Sequence, residues 1–465
     1  MLKVLFYNWA PLDCPRGAGG GVAVYIANLL KTFGGGNEQK YGIAPTYISS
    51  GFYYDGDKVA KVRKEKPFYG APVYTIVNSP ILAPSGFPER MFREALTDET
   101  LTDVFRKFLS ETGPYDVVHF NSLEGLTPQV LVLKQDFPQT KFIHSIHDYG
   151  VFCPRVQFWS KTNLNCVQHP NENKCSTCME DFQAIPSLFT KRLRPSTFDD
   201  HSSHWMLRQI CRVLGKTKIM SRFSRNDETL YKEFREAYIG NINKYVDAEL
   251  VVSKCVGNIA EKYGIRRNLI NQSYIGTKVA DNALMHNRSE STKDVLTMLY
   301  MGYMSKMKGF YFYLSALDKI DENIASTIDL KFATRITDRQ AYEHALSLKV
   351  KFHDVIFYDG YTHEDFSKIM QDVNLGIVPP LWEDNLPQVT IEMIANGIPV
   401  LTSSHGGAKE LNSHPDFSFS DERDFISKIQ KIAQNRTLLE DYWKCSVPLT
   451  TMNQHIEQLI QIYKS

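Results

Sequence analysis

Asp384 and Glu392, eight residues apart with Pro387 between them, are the pair in this 465-residue chain best placed to do chemistry. An apolar run over 373–378 reads as a short strand, closed by Pro379-Pro380. The polar loop Trp382-Glu383-Asp384-Asn385-Leu386 follows and meets Pro387, which suits the first turn of a helix because its missing N–H would be unpaired there anyway. That helix runs to Asn396, stops at Gly397 and Pro399, and hands over to a second strand, Val400-Leu401-Thr402. The pattern is strand, loop, helix, strand, with the helix start at the carboxyl end of a parallel sheet.

Such a helix start offers unpaired N–H groups and a positive dipole end, a seat for phosphate. Glu392 lies over a turn further in, where its carboxylate can accept bonds from hydroxyls of a ligand anchored at that end. Asp384, in the loop, can reach a second set of hydroxyls. After the second strand come Ser403-Ser404-His405-Gly406-Gly407, whose glycines let backbone approach a ligand closely. A phosphate seat between two hydroxyl-accepting acids suits a nucleotide sugar.

Asp384-x7-Glu392, Asn396-Gly397-Ile398-Pro399-Val400 and Gly406-Gly407-x-x-Glu410 together resemble the donor-site signature of retaining glycosyltransferases of family 4. That signature usually starts with Glu, so Asp384 is a shortened first member unless Glu383 takes its role. The resemblance implies the GT-B architecture: an α/β fold of two Rossmann-like domains whose parallel sheets face an interdomain cleft. It implies transfer of a hexosyl group from a nucleoside-diphosphate sugar to a glycan or lipid-linked glycan hydroxyl, with configuration retained and no catalytic metal. Surface polysaccharide assembly (capsule or O-antigen) is the family's usual employment. Lys308, in Lys306-Met307-Lys308-Gly309, matches the lysine that holds the donor diphosphate. The family's Arg after the preceding glycine is Tyr303 here, and Lys306 or Arg335 are candidates to compensate. By the same resemblance Glu392 holds ribose hydroxyls, Asp384 sugar hydroxyls, and His147 orients the sugar. Gly20, Gly21, Gly302, Asn385, Leu386, Pro387, Gly406 and Gly407 line the donor. The likeness spans most of the chain, leaving about 35–70 and 180–240 without a counterpart. A GT-B-fold epimerase or phosphorylase is an alternative, as is a non-catalytic partner protein, to which Tyr303 and Asp384 point.

The first half supplies a similar frame. Lys3-Val4-Leu5-Phe6-Tyr7 is a strand, followed by glycines at 17 and 19–21 and a helix over 22–33. A glycine turn between strand and helix brings backbone up to a phosphate or sugar, although a plain tight turn has the same composition. Strands over 116–120 and 141–147 carry His119, Asn121 and His147 at their carboxyl ends, where ligands of open parallel sheets bind. His119, Asn121 and Glu124 are the acceptor-side candidates. Asp55-Gly56-Asp57 admits a divalent-cation reading, against which stands its use as a turn.

Cys153, Cys166, Cys175 and Cys178 include one Cys-x2-Cys pair and supply the four ligands of a closed structural zinc site; His169 is a substitute ligand. Buried free thiols and disulfides are the other readings. Basic and apolar residues interleave over 188–225, which suits either peripheral membrane contact or a helix laid on its own domain.

Length calls for two domains. We expect 1–280 as an acceptor-side domain, with a Cys-rich insertion over about 150–240 and completed by a helix in 450–465. The donor domain would be 281–449. Lys and Arg number 53 against 52 Asp and Glu, so no bulk field favours nucleic acid. The apolar run at the start is short for a signal peptide and no stretch matches a bilayer span. The expectation is a cytoplasmic chain, peripheral at the inner face of the membrane if 188–225 binds there.

Overall fold

A computed structural model describes residues 1–12, 19–55, 59–81, 83, 96, 98–167, 175–179, 228–281 and 295–465. They form two compact units. One comprises Met1–Val251, Gly257–Gln272 and Ile462–Ser465; the other comprises Val252–Val256 and Ser273–Gln461. The last helix, Met452–Lys464, belongs to the first unit only from Ile462 onward.

Among the described residues the first unit holds an eight-stranded sheet. Its strands are β1 (Leu2–Tyr7), β2 (Ile43–Ser50), β3 (Lys61–Lys64), β4 (Val73–Val77), β5 (Val117–Phe120), β6 (Lys141–Ile146), β7 (Ala248–Val251) and β8 (Ile270–Gln272). They lie in the order β3-β4-β2-β1-β5-β6-β7-β8, parallel except for β3, which runs antiparallel along β4 at the edge. β1 is central, paired to β2 and β5, and its last four residues are buried. That is why it reads as an unbroken apolar run and not as an alternation. The helix after it, Gly20–Phe33, starts two residues earlier than expected and buries Tyr25, Ile26, Leu29, Leu30 and Phe33 on one face. Its entry needs glycine: a Cβ on Gly19 would stand 2.4 Å from the Ala23 Cβ and 2.8 Å from the Ala10 Cβ.

The second unit has a six-stranded, all-parallel sheet of β9 (Leu296–Met301), β10 (Ile328–Thr334), β11 (Asp354–Asp359), β12 (Leu375–Val378), β13 (Val400–Ser403) and β14 (Ser418–Phe419). The order is β11-β10-β9-β12-β13-β14. β9, β12 and β13 are buried along their whole length, so the loops leaving their carboxyl ends converge over the middle of the sheet. The helix before β5 runs over Thr100–Thr112 and buries Leu101, Phe105, Phe108 and Leu109. Between β11 and β12 lie a 3-10 turn, His363–Asp365, and the short helix Phe366–Met370.

Candidate active site

The second unit gathers most of the donor-side residues singled out by sequence. β12 ends at Val378, and the chain turns through Pro379-Pro380 into the loop that carries Glu383 and Asp384. Two hydroxyls of the neighbouring strand hold this exit, Thr402 Oγ1 donating to the Val378 carbonyl (2.9 Å) and Ser403 Oγ to that of Pro380 (2.5 Å). The helix follows as Gln388–Ala395, with Pro387 as its N-cap and no side chain capping it. It ends at Asn396, and Gly397 takes φ +73°, the left-handed turn that closes many helices.

The turn carrying Lys308 is locked to the same place. Gly309 has φ +76°, and a Cβ there would lie 1.7 Å from the Pro379 carbonyl oxygen. The Leu381 N–H donates to the Met307 carbonyl at 2.8 Å. Lys308 is therefore brought to Asp384: its Nζ donates to Oδ2 at 2.5 Å and stands 5.3 Å from the centre of the Trp382 ring.

Glu383 and Asp384, adjacent in sequence, have different surroundings. Both are buried, at 7% exposure. Asp384 takes the lysine, and its backbone carbonyl accepts from the Gly407 N–H (2.9 Å). Glu383 Oε2 accepts from the Gly406 N–H (2.7 Å) and the Cys255 thiol (3.4 Å), while Oε1 lies 3.4 Å from His405 Nδ1. Glu383 thus clamps the diglycine loop. Gly406, at φ +69°, approaches so closely that a Cβ would sit 2.1 Å from the Asp384 carbonyl oxygen. Burial, with the charge of Glu383 adding, pushes the Cys255 thiol up to about 12, so it acts as a neutral donor.

Glu392 is buried in the second turn of the helix, and that burial pushes its carboxyl up to about 7. Glu410, the last acid of the motif, accepts from the backbone N–H groups of Lys254 (2.8 Å) and Cys255 (2.6 Å) and from the Tyr274 hydroxyl (2.9 Å). It caps the start of helix Lys254–Lys262, a structural use. Gly302 closes β9, and Tyr303, where an Arg was expected, is 69% exposed. Lys306 and Arg335 are exposed and enter no ion pair among the described residues.

Residues 281–444 match the family model described as glycosyl transferases group 1. Among solved structures, Anabaena HepE in complex with UDP and glucose covers the whole chain and is itself wholly covered, at 13% identity and TM-score 0.56. Sucrose-phosphate synthase from Thermosynechococcus elongatus matches all of this chain over 98% of its own, at 15% identity and TM-score 0.55. The lipopolysaccharide outer core galactosyltransferase WaaB, in its apo form, matches with full coverage of both chains, 12% identity and TM-score 0.57. The fold is GT-B. No curated protein sequence matches the chain.

In this GT-B chain the first unit treats its candidates unevenly. His119 is wholly buried and both ring nitrogens are engaged, Nδ1 with the Tyr463 hydroxyl (2.7 Å) and Nε2 with Ser145 Oγ (2.8 Å). Asn121 is also wholly buried, its amide donating to the carbonyls of Tyr7 (3.4 Å) and His119 (3.3 Å). Glu124 is buried, with its backbone carbonyl accepting from the Tyr7 hydroxyl (2.5 Å). His147, half-buried just past β6, lies 5.0 Å from the Tyr25 ring of the helix that begins with Gly20 and Gly21. Asp55 is spent on Lys61 (2.7 Å) and on Asn78 (2.7 Å), which favours the turn; Asp57 lies outside the described residues. So do His169 and the stretch 188–225.

Among the described residues no three His, Cys, Asp or Glu side chains are arranged to hold a metal ion, and no helix is long and apolar enough to cross a membrane. The clamp made by Glu383 and the cap made by Glu410 were not read from sequence. Their partners lie 23 and about 155 residues away, beyond any local pattern.

Proposed function

We propose that this chain is a retaining hexosyltransferase, moving a sugar from a nucleoside diphosphate to a hydroxyl of a glycan or lipid-linked glycan, in surface polysaccharide assembly. The observation that carries this reading is the 2.5 Å contact between Lys308 and Asp384 beside the start of the Gln388–Ala395 helix, with Glu392 buried in that helix. The group 1 match over 281–444 supports it, and the neighbour solved with UDP and glucose supports a nucleotide-sugar donor.

The bond from the anomeric carbon to the diphosphate breaks, and negative charge grows on the departing phosphate. Lys308 and the helix start near Pro387 are fixed positive ends aimed at that charge. Lys308 exchanges Asp384 for the diphosphate, which leaves the Asp384 carboxylate to accept from sugar hydroxyls. Glu392 accepts from the ribose. With attack on the same face, the leaving phosphate oxygen takes the acceptor proton, so no separate base is needed. His147 belongs to the first unit, and its role toward the sugar rests on the sequence resemblance.

A thermal-shift screen of nucleoside diphosphates and their sugars, followed by product analysis with glycan acceptors, tests the reading. A ligand bound by the native state alone raises its melting temperature, by about 2.7 kcal/mol of stability at a hundredfold excess over Kd. Transfer to an added glycan is the expected product. Epimer or sugar phosphate as sole product would replace the reading with an epimerase or phosphorylase, and binding without turnover would replace it with a non-catalytic partner.

A further inference from the structure

We propose that the side-chain amides of Asn8 and Asn121 form a binding site for a pair of neutral hydroxyl groups, at the carboxyl ends of β1 and β5 in the first unit. The ladder between these strands pairs Tyr7 with Phe120, and the next residue on each is an asparagine. Their backbones are held. The Asn121 N–H donates to the Tyr7 carbonyl (2.8 Å) and that of Asn8 to the Ile48 carbonyl (3.3 Å). Two residues back on each strand, the rings of Phe6 and His119 lie 5.8 Å apart on one face of the sheet. Side chains alternate between faces, so Asn8 and Asn121 share that face.

Both asparagines are wholly buried, yet among the described residues three of their amide atoms have no partner: Oδ1 and Nδ2 of Asn8 and Oδ1 of Asn121. Buried amide atoms are almost always bonded, because a dry one forfeits its bonds to water with nothing in return. An apolar side chain would fill the same place without that loss. Asn121 Nδ2 donates to two carbonyls, those of Tyr7 and His119, so its amide cannot be turned over and Oδ1 is the end left to a ligand. The site therefore presents two oxygens that accept and one NH2 group that donates. A phosphate or carboxylate would set its charge against the two oxygens, and an ammonium could not accept from the nitrogen. A hydroxyl donates and accepts through one atom. The oxygen and nitrogen of the Asn8 amide point apart, so one hydroxyl donates to Oδ1 and a second accepts from Nδ2. Asn121 Oδ1 takes a further O–H. Two waters carry this chemistry, and so do neighbouring hydroxyls of a sugar ring. Ligands of open parallel sheets bind at this end of the strands, where the Ser122 hydroxyl is already spent on Asp148 (2.9 Å). A sugar as the source rests on the glycosyl-transfer reading above; the hydroxyl site itself does not.

The test is a crystal structure of the full chain, grown alone and then soaked with methyl glucoside, methyl galactoside or methyl mannoside. Ordered water bonded to Asn8 and Asn121 in every crystal assigns the site to water. Sugar oxygens in those places assign it to a glycan, and either result upholds the proposal. An Asn8 amide bonded to protein groups, or with no oxygen beside it, overturns it. Asn8→Leu puts the same question in solution. Losing bonded hydroxyls should lower the melting temperature by about 2–4 °C. An amide without partners only burdens the fold, so a melt that is unchanged or raised overturns the proposal. Where packing alone unfolds this variant, the crystal of the unaltered chain decides. Glycosyl transfer enters neither readout, so the site and the transferase reading fail separately.

Discussion

Replacing Glu392 by Gln should separate the cost of this acid from its use. Burial raises its carboxyl from 4.5 to about 7. In the unfolded chain the group titrates near the lower value. Between the two, the folded chain therefore holds a proton that the unfolded chain has lost, and stability falls as pH rises through that window. At 1.36 kcal/mol for each pH unit between the two values, the ionised side chain costs the fold on the order of 3 kcal/mol by pH 8. Gln stays neutral. The variant should melt close to wild type at pH 4.5 and several degrees higher at pH 8. It should also bind nucleoside diphosphates at least tenfold more weakly, because a hydroxyl bonds a carboxylate more strongly than an amide. Calorimetry at the two pH values, with and without the nucleoside diphosphate that gives the largest shift, reads both effects. An equal gain at both pH values would show that charge burial is not what the substitution relieves. Unchanged nucleotide binding would remove Glu392 from the donor site.

Three further substitutions bear on neighbouring parts. Lys308→Ala should lower kcat by about 10²–10³ in a transfer assay, the usual loss for one donor aimed at developing charge, with the melting temperature little changed. Gly309→Ala should destabilise by roughly 2–5 kcal/mol, since the side chain meets the Pro379 carbonyl and the backbone is left-handed; circular dichroism melts check it. Glu410→Ala removes the cap of the Lys254–Lys262 helix and should cost about 1 kcal/mol in chemical denaturation without altering nucleotide affinity.

What was legible in the sequence was whatever local chemistry enforces. Pro379-Pro380, Pro387, Gly397 and Pro399 mark ends of elements because each forbids or favours a backbone state, and β12, the helix and β13 fall within two residues of expectation. Lys308 and Asp384, 76 residues apart, were both singled out, and the Gly309–Pro379 contact shows why they meet. The partners of the His119 ring, Ser145 and Tyr463, lie 26 and 344 residues away, beyond any local pattern. A strand-end histidine has the same local sequence whether it faces a ligand or a tyrosine. Glu383 and Asp384 could not be told apart either, because neighbours in an irregular loop have no periodicity to assign them directions.

The pairing of Lys308 with Asp384 has a consequence for binding. Without a donor the lysine is neutralised by the acid assigned to the sugar, so the diphosphate must compete with a carboxylate that is already in place. The Lys308 side chain is 30% exposed and that of Asp384 10%, a setting in which the competing ion pair is worth about 1 kcal/mol after screening. Asp384→Asn should relieve that competition. A nucleoside diphosphate lacking the sugar should bind roughly fivefold more tightly, while transfer from the full donor slows because the sugar hydroxyls lose their charged acceptor. Titration calorimetry with the diphosphate and initial rates with the sugar donor should therefore move in opposite directions. If both weaken together, Asp384 supports the lysine and does not hold the sugar, and Glu383 becomes the acid to test in that role.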